Sequence, residues 1–333
     1  MRPLDSPNSP NSPDSLGQWE DGALGRAREC SWSRHGKKVV FYLPGMFVRD
    51  GVQGEYPALS VTGNSCAQGC AHCTGNLLRG MPDVSTPELL LSTCRRLAAE
   101  GAQGVLLSGG CDGQGRVPWT DFVDAIATVK EETGLFVSVH CGMLDSVTAR
   151  ALKRAGVDQA LIDIIGSAET YTRVYHLPNG QELLERSLEA LFEAELPVVP
   201  HIVTGLHFGR LLGENRALEL LARHPPSLLV VVACMPLPGT EMADMEPPTP
   251  QAVCGVIIRA RELMPETEIS LGCARPRKSA PVMEALALLA GVNRMALPSD
   301  ETLTLARELG LEAQFGKTCC SVRLDAARRF GTF

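Results

Sequence analysis

The chain has 333 residues, 44% hydrophobic and 21% charged, the composition of a folded globular protein with length for one large core or two modest ones. Its formal net charge of -7, with acids and bases mixed along the sequence, leaves no basic stripe to neutralise phosphates and argues against nucleic acid as a partner. No apolar run reaches the roughly 18–20 residues of a membrane helix and no charged-then-apolar leader opens the chain, so a cytoplasmic protein with no membrane partner is expected.

In chain order, residues 1–28 come first as a low-complexity leader rich in Ser, Pro and Asn, with too little apolar surface to offset its ordering entropy, and disorder is expected there. From residue 59 onward, short β-branched runs at 59–63, 105–108, 136–140, 160–165, 198–204, 228–234, 268–272 and 294–298 read as eight strands. Between them lie amphipathic stretches at 86–100, 121–132, 146–155, 180–194, 214–223, 250–263 and 282–290, with Gly, Pro and Asn at the joints. Strands apolar on both faces and joined by helical crossovers pair in parallel, and eight such α/β units close into a (β/α)8 TIM-type barrel over 29–315. An open doubly wound sheet is the second architecture; in either one the chemistry sits at the carboxyl ends of the strands. A tail at 316–333 carries the adjacent pair Cys319 and Cys320.

Twelve cysteines are many for a cytosolic chain yet too sparse for a disulfide framework, so metal ligation or reactive thiols account better for some of them. After the first strand, Ser65-Cys66-Ala67-Gln68-Gly69-Cys70-Ala71-His72-Cys73 places three thiolates at spacings of four and three. A compact loop of soft ligands suits iron–sulfur or zinc. Three ligands leave one corner of a four-iron cubane open for a cofactor. A structural zinc loop completed by His72, or three unliganded cysteines, is the bland alternative, although zinc knuckles usually pair two two-cysteine turns.

This Cys-x3-Cys-x2-Cys loop resembles the signature of the radical S-adenosylmethionine (SAM) superfamily, with His72 at the place of an aromatic residue. The resemblance implies that Cys66, Cys70 and Cys73 hold a [4Fe-4S] cluster whose open iron chelates SAM, and that the reduced cluster yields a 5′-deoxyadenosyl radical. The logic is that an aliphatic C–H bond is too strong for side-chain acid–base chemistry. On the same resemblance, Ser108-Gly109-Gly110 replaces the family's Gly-Gly-Glu turn near the SAM amino group. Asp163 falls at the ribose-binding position, its alternative being a helix cap, and His201 lies in the adenine-binding strand. His140, at the end of the third strand, shares the pocket-lining assignment, and both histidines have packed strand residues as their alternative.

From Tyr56 to Phe315 the spacing is similar to that of biotin synthase. As aligned, Ser138 and Ser270 replace a cysteine and the arginine that hold that enzyme's second, two-iron cluster. Cys273, at the end of the seventh strand, and the tail pair Cys319 and Cys320, if the tail returns over the barrel, would suffice for a second [4Fe-4S] cluster, their alternative being inert or exposed thiols, while Cys94 and Cys254 read as core residues. With these features the chain is most similar to biotin-synthase-like proteins, some of which form one half of a paired lipoyl synthase. That resemblance implies sulfur insertion into an octanoyl chain on a lysine of a lipoyl-carrier protein, a second radical SAM subunit, and an electron donor such as ferredoxin or flavodoxin. Another biotin-synthase-like reaction is the alternative, and a non-catalytic iron–sulfur electron carrier is the reading from a different class.

Overall fold

The computed structural model describes residues 22–322; most of the expected leader and the end of the tail, residues 1–21 and 323–333, lie outside the described residues. Among the described residues the order is α1 (Ala23–His35), β1 (Lys38–Tyr42), β2 (Val48–Arg49), β3 (Val52–Gln53), β4 (Ala58–Ser60), α2 (Pro87–Ala99), β5 (Gly104–Ser108), α3 (Val123–Thr133), β6 (Phe136–His140), α4 (Ser146–Arg154) and β7 (Gln159–Asp163). It continues with α5 (Ala168–Val174), α6 (Gly180–Glu193), β8 (Val198–Thr204), α7 (Glu214–Leu221), β9 (Leu228–Ala233), α8 (Pro250–Leu263), β10 (Glu268–Leu271), α9 (Ala280–Leu289), β11 (Arg294–Ala296), α10 (Asp300–Glu308) and β12 (Glu312–Gly316). Local chemistry sets several helix starts. Thr86 accepts from Leu89 N at the head of α2 with Pro87 in the first turn, and Thr249 and Pro250 repeat the device on α8.

The eight expected strands all form, as β4 to β11, in one curled parallel sheet of the TIM-barrel type. Two more strands extend it, because β1 inserts between β11 and β12 and gives the order β12-β1-β11-β10-β9-β8-β7-β6-β5-β4. The edges β12 and β4 do not pair, so the sheet is a ten-stranded half-barrel. Glu55 bridges the gap: its N–H donates to Lys317 O, its carboxylate accepts from Lys317 Nζ at 3.0 Å and Gln103 Nε2 at 2.6 Å, and its carbonyl accepts from Gln103 N.

Side-chain alternation divides the sheet into two faces. Val39, Phe41, Ala160, Ile162, Ile202, Leu229, Val231 and Met295 point outward into the main core beneath the helices. Tyr42, Leu161, Val199, Leu228, Val230, Val232 and Ala296 point into the concave side, the lumen, where Cys320 of the tail packs against them. The boundary expected at residue 28 moves to the start of α1: Ala23, Ala27 and Ser31 are buried, and α1 packs on α8 and α9. The contact is close because Gly291 lacks a Cβ, which would stand 2.9 Å from Arg28 Cα.

Candidate active site

The cysteine loop leaves β4 at the carboxyl edge of the sheet and is held by its backbone. Ala67 N and Gln68 N both donate to Cys111 O, Ala71 N donates to Val174 O, and Gln68 Nε2 reaches Tyr175 O. A turn in which Cys73 N and Thr74 N donate to Cys70 O brings the last two cysteines together. Within that turn the Cys70 thiol donates to Cys73, so the Cys73 thiol titrates well below its ordinary value, at about 4, while Cys70 is raised; His72 also stabilises the Cys73 thiolate. The His72 ring lies 5.2 Å from Tyr175, and its buried Nδ1 has no hydrogen-bond partner.

The Gly-Gly turn serves this loop directly. A Cβ on Gly110 would fall 1.9 Å from Ser65 O and 2.6 Å from Cys66, so only glycine lets the end of β5 lie against the first cysteine. Gly110 N donates to Thr62 Oγ1, Ser108 O accepts from Val61 N, and Gly109 packs against Val61 and Val117. The next residue, Cys111, donates its N–H to Cys66 Sγ at 3.4 Å. Sequence reasoning did not single out Cys111, whose contribution is made by backbone atoms.

Asp163 and His140, the last residues of β7 and β6, come together with His201 in the middle of β8. His140 Nε2 is 3.6 Å from Asp163 Oδ1, with side chains 36% and 26% exposed, and the two imidazole rings are 6.0 Å apart. Burial opposes both charges of the pair, yet each sustains the other: the Asp163 carboxylate raises His140, and His140 lowers Asp163. Burial pushes His201 down to about 4, and its Nδ1 donates to Val199 O at 3.1 Å, which fixes the neutral tautomer. Asp163 does not cap the next helix, since Ser167 accepts from Thr170 N at the head of α5.

Residues 60–212 match the family model of the radical SAM superfamily. Biotin synthase of Acidithiobacillus ferrooxidans is 28% identical over 255 residues, 74% of this chain and 78% of the relative. That of Stenotrophomonas maltophilia is 29% identical over 283 residues, covering 80% of this chain and 79% of the relative. Among solved structures, methylornithine synthase (PylB) superposes with a TM-score of 0.63 at 17% identity over 92% of this chain and 95% of its own. The hydrogenase maturase HydG gives 0.65 at 15% identity, covering 92% and 72%. Over residues 60–212 the chain is similar to the radical SAM superfamily, and over about three quarters of its length it is similar to biotin synthases.

Similarity to that superfamily implies a [4Fe-4S] cluster and SAM, and the sulfur donors of the Cys66 loop suit such a cluster. One loop offers three sulfur ligands, and within it Gln68 Oε1 and His72 Nδ1 are buried without partners; elsewhere Tyr171 Oη, Thr204 Oγ1 and Glu214 Oε2 are in the same state. Such orphans cost stability until a ligand satisfies them. No helix among the described residues is long and apolar enough to cross a membrane.

Glu214 is the most consequential orphan outside the cysteine loop. Its Oε1 accepts from Gly205 N at 2.9 Å, and burial raises its pKa from 4.5 to about 7. A folded-state pKa above the unfolded one means that stability is fully present below about pH 4.5 and falls as pH rises through about 7. Glu214→Gln keeps an acceptor for Gly205 N and removes the charge. The variant should lose this pH dependence and exceed wild type at pH 8 by up to about 3 kcal/mol, measured by denaturant unfolding at pH 5 and pH 8. Parallel stability profiles would contradict the assignment.

The described part of the tail turns back into the lumen, so Cys319 and Cys320 join Cys273 at the concave wall with Leu106, Val203, Val230 and Val232 around them. Cys320 S–H donates to Cys319, and Ser321 Oγ donates to the same sulfur at 3.1 Å; Cys319 falls to about 6 despite its burial, while Cys320 is raised. Burial holds Cys273 up at about 11. The Ser270 hydroxyl near Cys320 is buried without a hydrogen-bond partner. Arg294 fixes the tail through Cys320 O and Val322 O. Cys94 and Cys254 lie in the main core.

The loop bearing Cys273 is set by a buried ion pair. Arg275 donates to Glu284 Oε1 at 2.7 Å and to the carbonyls of Gly272, Ala296 and Leu297, while Glu284 Oε2 accepts from Ser299 N and Thr302 Oγ1. Both side chains are 3% exposed or less. Arg275→Ala or Glu284→Ala strands the other charge and should cost about 3–5 kcal/mol of unfolding free energy, whereas the double change to Met and Leu should cost much less. Chemical denaturation of the three variants decides it.

Proposed function

We propose that this protein is a radical SAM enzyme that inserts sulfur at an unactivated carbon of an alkyl chain, as one component of a two-protein lipoyl synthase acting on an octanoyl group bound to a carrier-protein lysine. The observation that carries the reading is the meeting of Cys273, Cys319 and Cys320 at an apolar lumen wall, on the same concave side as His140 and Asp163. We read the apolar lumen wall of Leu106, Leu161, Val199, Val203, Val230 and Val232 as the sleeve for a hydrocarbon chain, one that would exclude water from a carbon radical. The biotin synthase relatives support sulfur insertion as the reaction class.

On this reading Cys66, Cys70 and Cys73 hold the SAM cluster, and Cys273, Cys319 and Cys320 hold a second one. When bound, the first cluster would supply the reductive cleavage of SAM that yields a hydrogen-abstracting radical. The second would serve as a source of sulfide. Gly109 and Gly110 bring backbone close to the SAM amino end, and Asp163 accepts from the ribose hydroxyls with His140 as its charge partner. His201 offers an uncharged ring edge on the adenine-binding strand. The sleeve fixes which carbon meets the radical, so orientation replaces diffusion.

The carrier protein, a second radical SAM subunit and a ferredoxin or flavodoxin donor are the partners this reading requires. The test is anaerobic incubation of the reduced, iron-loaded protein with SAM and an octanoyl-lysine peptide or carrier, with and without a second radical SAM component. Thiolated product formed together with 5′-deoxyadenosine supports the reading. Deoxyadenosine without thiolation of any octanoyl substrate points to another biotin-synthase-like reaction, and no deoxyadenosine at all points to an electron carrier.

A further inference from the structure

A run of buried side chains connects the wall of the sheet to one sulfur of the tail. Tyr56 Oη and Ser138 Oγ are 2.6 Å apart, and Gln159 Nε2 donates to Ser138 Oγ at 3.0 Å. The same amide nitrogen reaches Ser321 O at 3.2 Å and Ser321 Oγ at 3.4 Å, and Ser321 Oγ donates to Cys319 Sγ at 3.1 Å. Tyr56, Ser138, Gln159 and Ser321 are all at most 5% exposed. Four polar side chains buried together in this way are costly unless the chain of hydrogen bonds is complete.

The direction of the chain follows from one atom. Ser321 O can only accept, so the Gln159 atom facing it is nitrogen and the amide orientation is fixed. Gln159 therefore presents N–H to the Ser321 hydroxyl oxygen, and the hydroxyl proton is left for the sulfur. Cys319 is then the one thiol of the lumen group held by a side-chain hydroxyl that is itself held from behind. Cys320, one residue on, has Cys319, Cys273 and the Ser270 hydroxyl beside it, and that hydroxyl has no partner of its own behind it. The two adjacent cysteines are thus unequal in their surroundings.

Resting on the second-cluster reading above, we infer that Ser321, oriented by Gln159 and Ser138, is a positioning residue that fixes the Cys319 sulfur as a cluster ligand and raises the reduction potential of that cluster. A hydrogen bond to a ligand sulfur draws off charge and favours the reduced, more negative state, so its loss moves the potential down. A proton donor on one ligand also makes the irons of the cluster inequivalent, which orients the sulfide to be released.

The experiment is a potentiometric titration followed by electron paramagnetic resonance on full-length, anaerobically reconstituted protein, with iron counted in each sample. The SAM-dependent spectral change at the first cluster serves as internal control. Ser321→Ala should shift the second cluster's potential to a more negative value, and Ser321→Thr, which keeps the hydroxyl, should restore it. If Ser321→Ala fails to fold, Gln159→Glu gives the same reading, because a carboxylate draws the hydroxyl proton away from the sulfur and the potential should again fall. Wild-type potentials in Ser321→Ala, or in Gln159→Glu, overturn the role of Ser321 while leaving the second cluster standing. A wild type with only about four irons per chain removes the cluster and this inference with it.

Discussion

Replacing Cys66, Cys70 and Cys73 together by Ala should abolish formation of 5′-deoxyadenosine from SAM and remove about four irons per chain. The effect is large because no other residue on that loop can supply a thiolate. The loop itself should persist, since it is fastened by Ala67 N, Gln68 N and Ala71 N rather than by the thiols. The variant should therefore stay folded, with a melting temperature near that of apoprotein. Liquid chromatography of reactions with dithionite and SAM measures the outcome, and undiminished deoxyadenosine would remove the cluster assignment.

The second large effect is a separation of two activities. Changing Cys273, Cys319 and Cys320 to Ala should leave SAM cleavage in place while lowering sulfur insertion by more than about 100-fold, because the carbon radical is still generated but meets no oriented sulfide. Deoxyadenosine then accumulates without product. The three positions belong to the lumen wall and the tail, apart from the backbone pins of the Cys66 loop, so loss of both activities together would mean misfolding and not an uncoupled reaction. Normal sulfur insertion by the variant would place the sulfur source elsewhere.

What the sequence discloses here is what lies close together in the chain. The Cys66–Cys70–Cys73 loop is local, and β4 to β11 are near-continuous apolar runs, so both can be read directly. Strand β12 reads Glu-Ala-Gln-Phe-Gly and has no such run; it is a strand because β1 offers it an edge. Helix α1 escaped attention because it packs through small residues, Ala23, Ala27 and Ser31, and begins within a Gly-rich stretch that resembles the leader. The seat of Cys319 is invisible for a different reason: Tyr56 meets Ser138 across 82 residues, and Gln159 meets Ser321 across 162. Such pairings follow from the register of a curled sheet and the return of a tail, which residue patterns do not encode. The role of Gly110 is a similar case, since glycine after a strand reads as a turn while its bareness accommodates Cys66.

The proposed function requires two clusters, one generating a radical and one giving up sulfur. The measurement that tests this most directly is Mössbauer spectroscopy with iron and sulfide analysis on wild-type protein enriched in iron-57 and kept anaerobic. It should show about eight irons per chain in two four-iron clusters, only one of them changing its spectrum when SAM is added. About four irons in a single SAM-responsive cluster would contradict it.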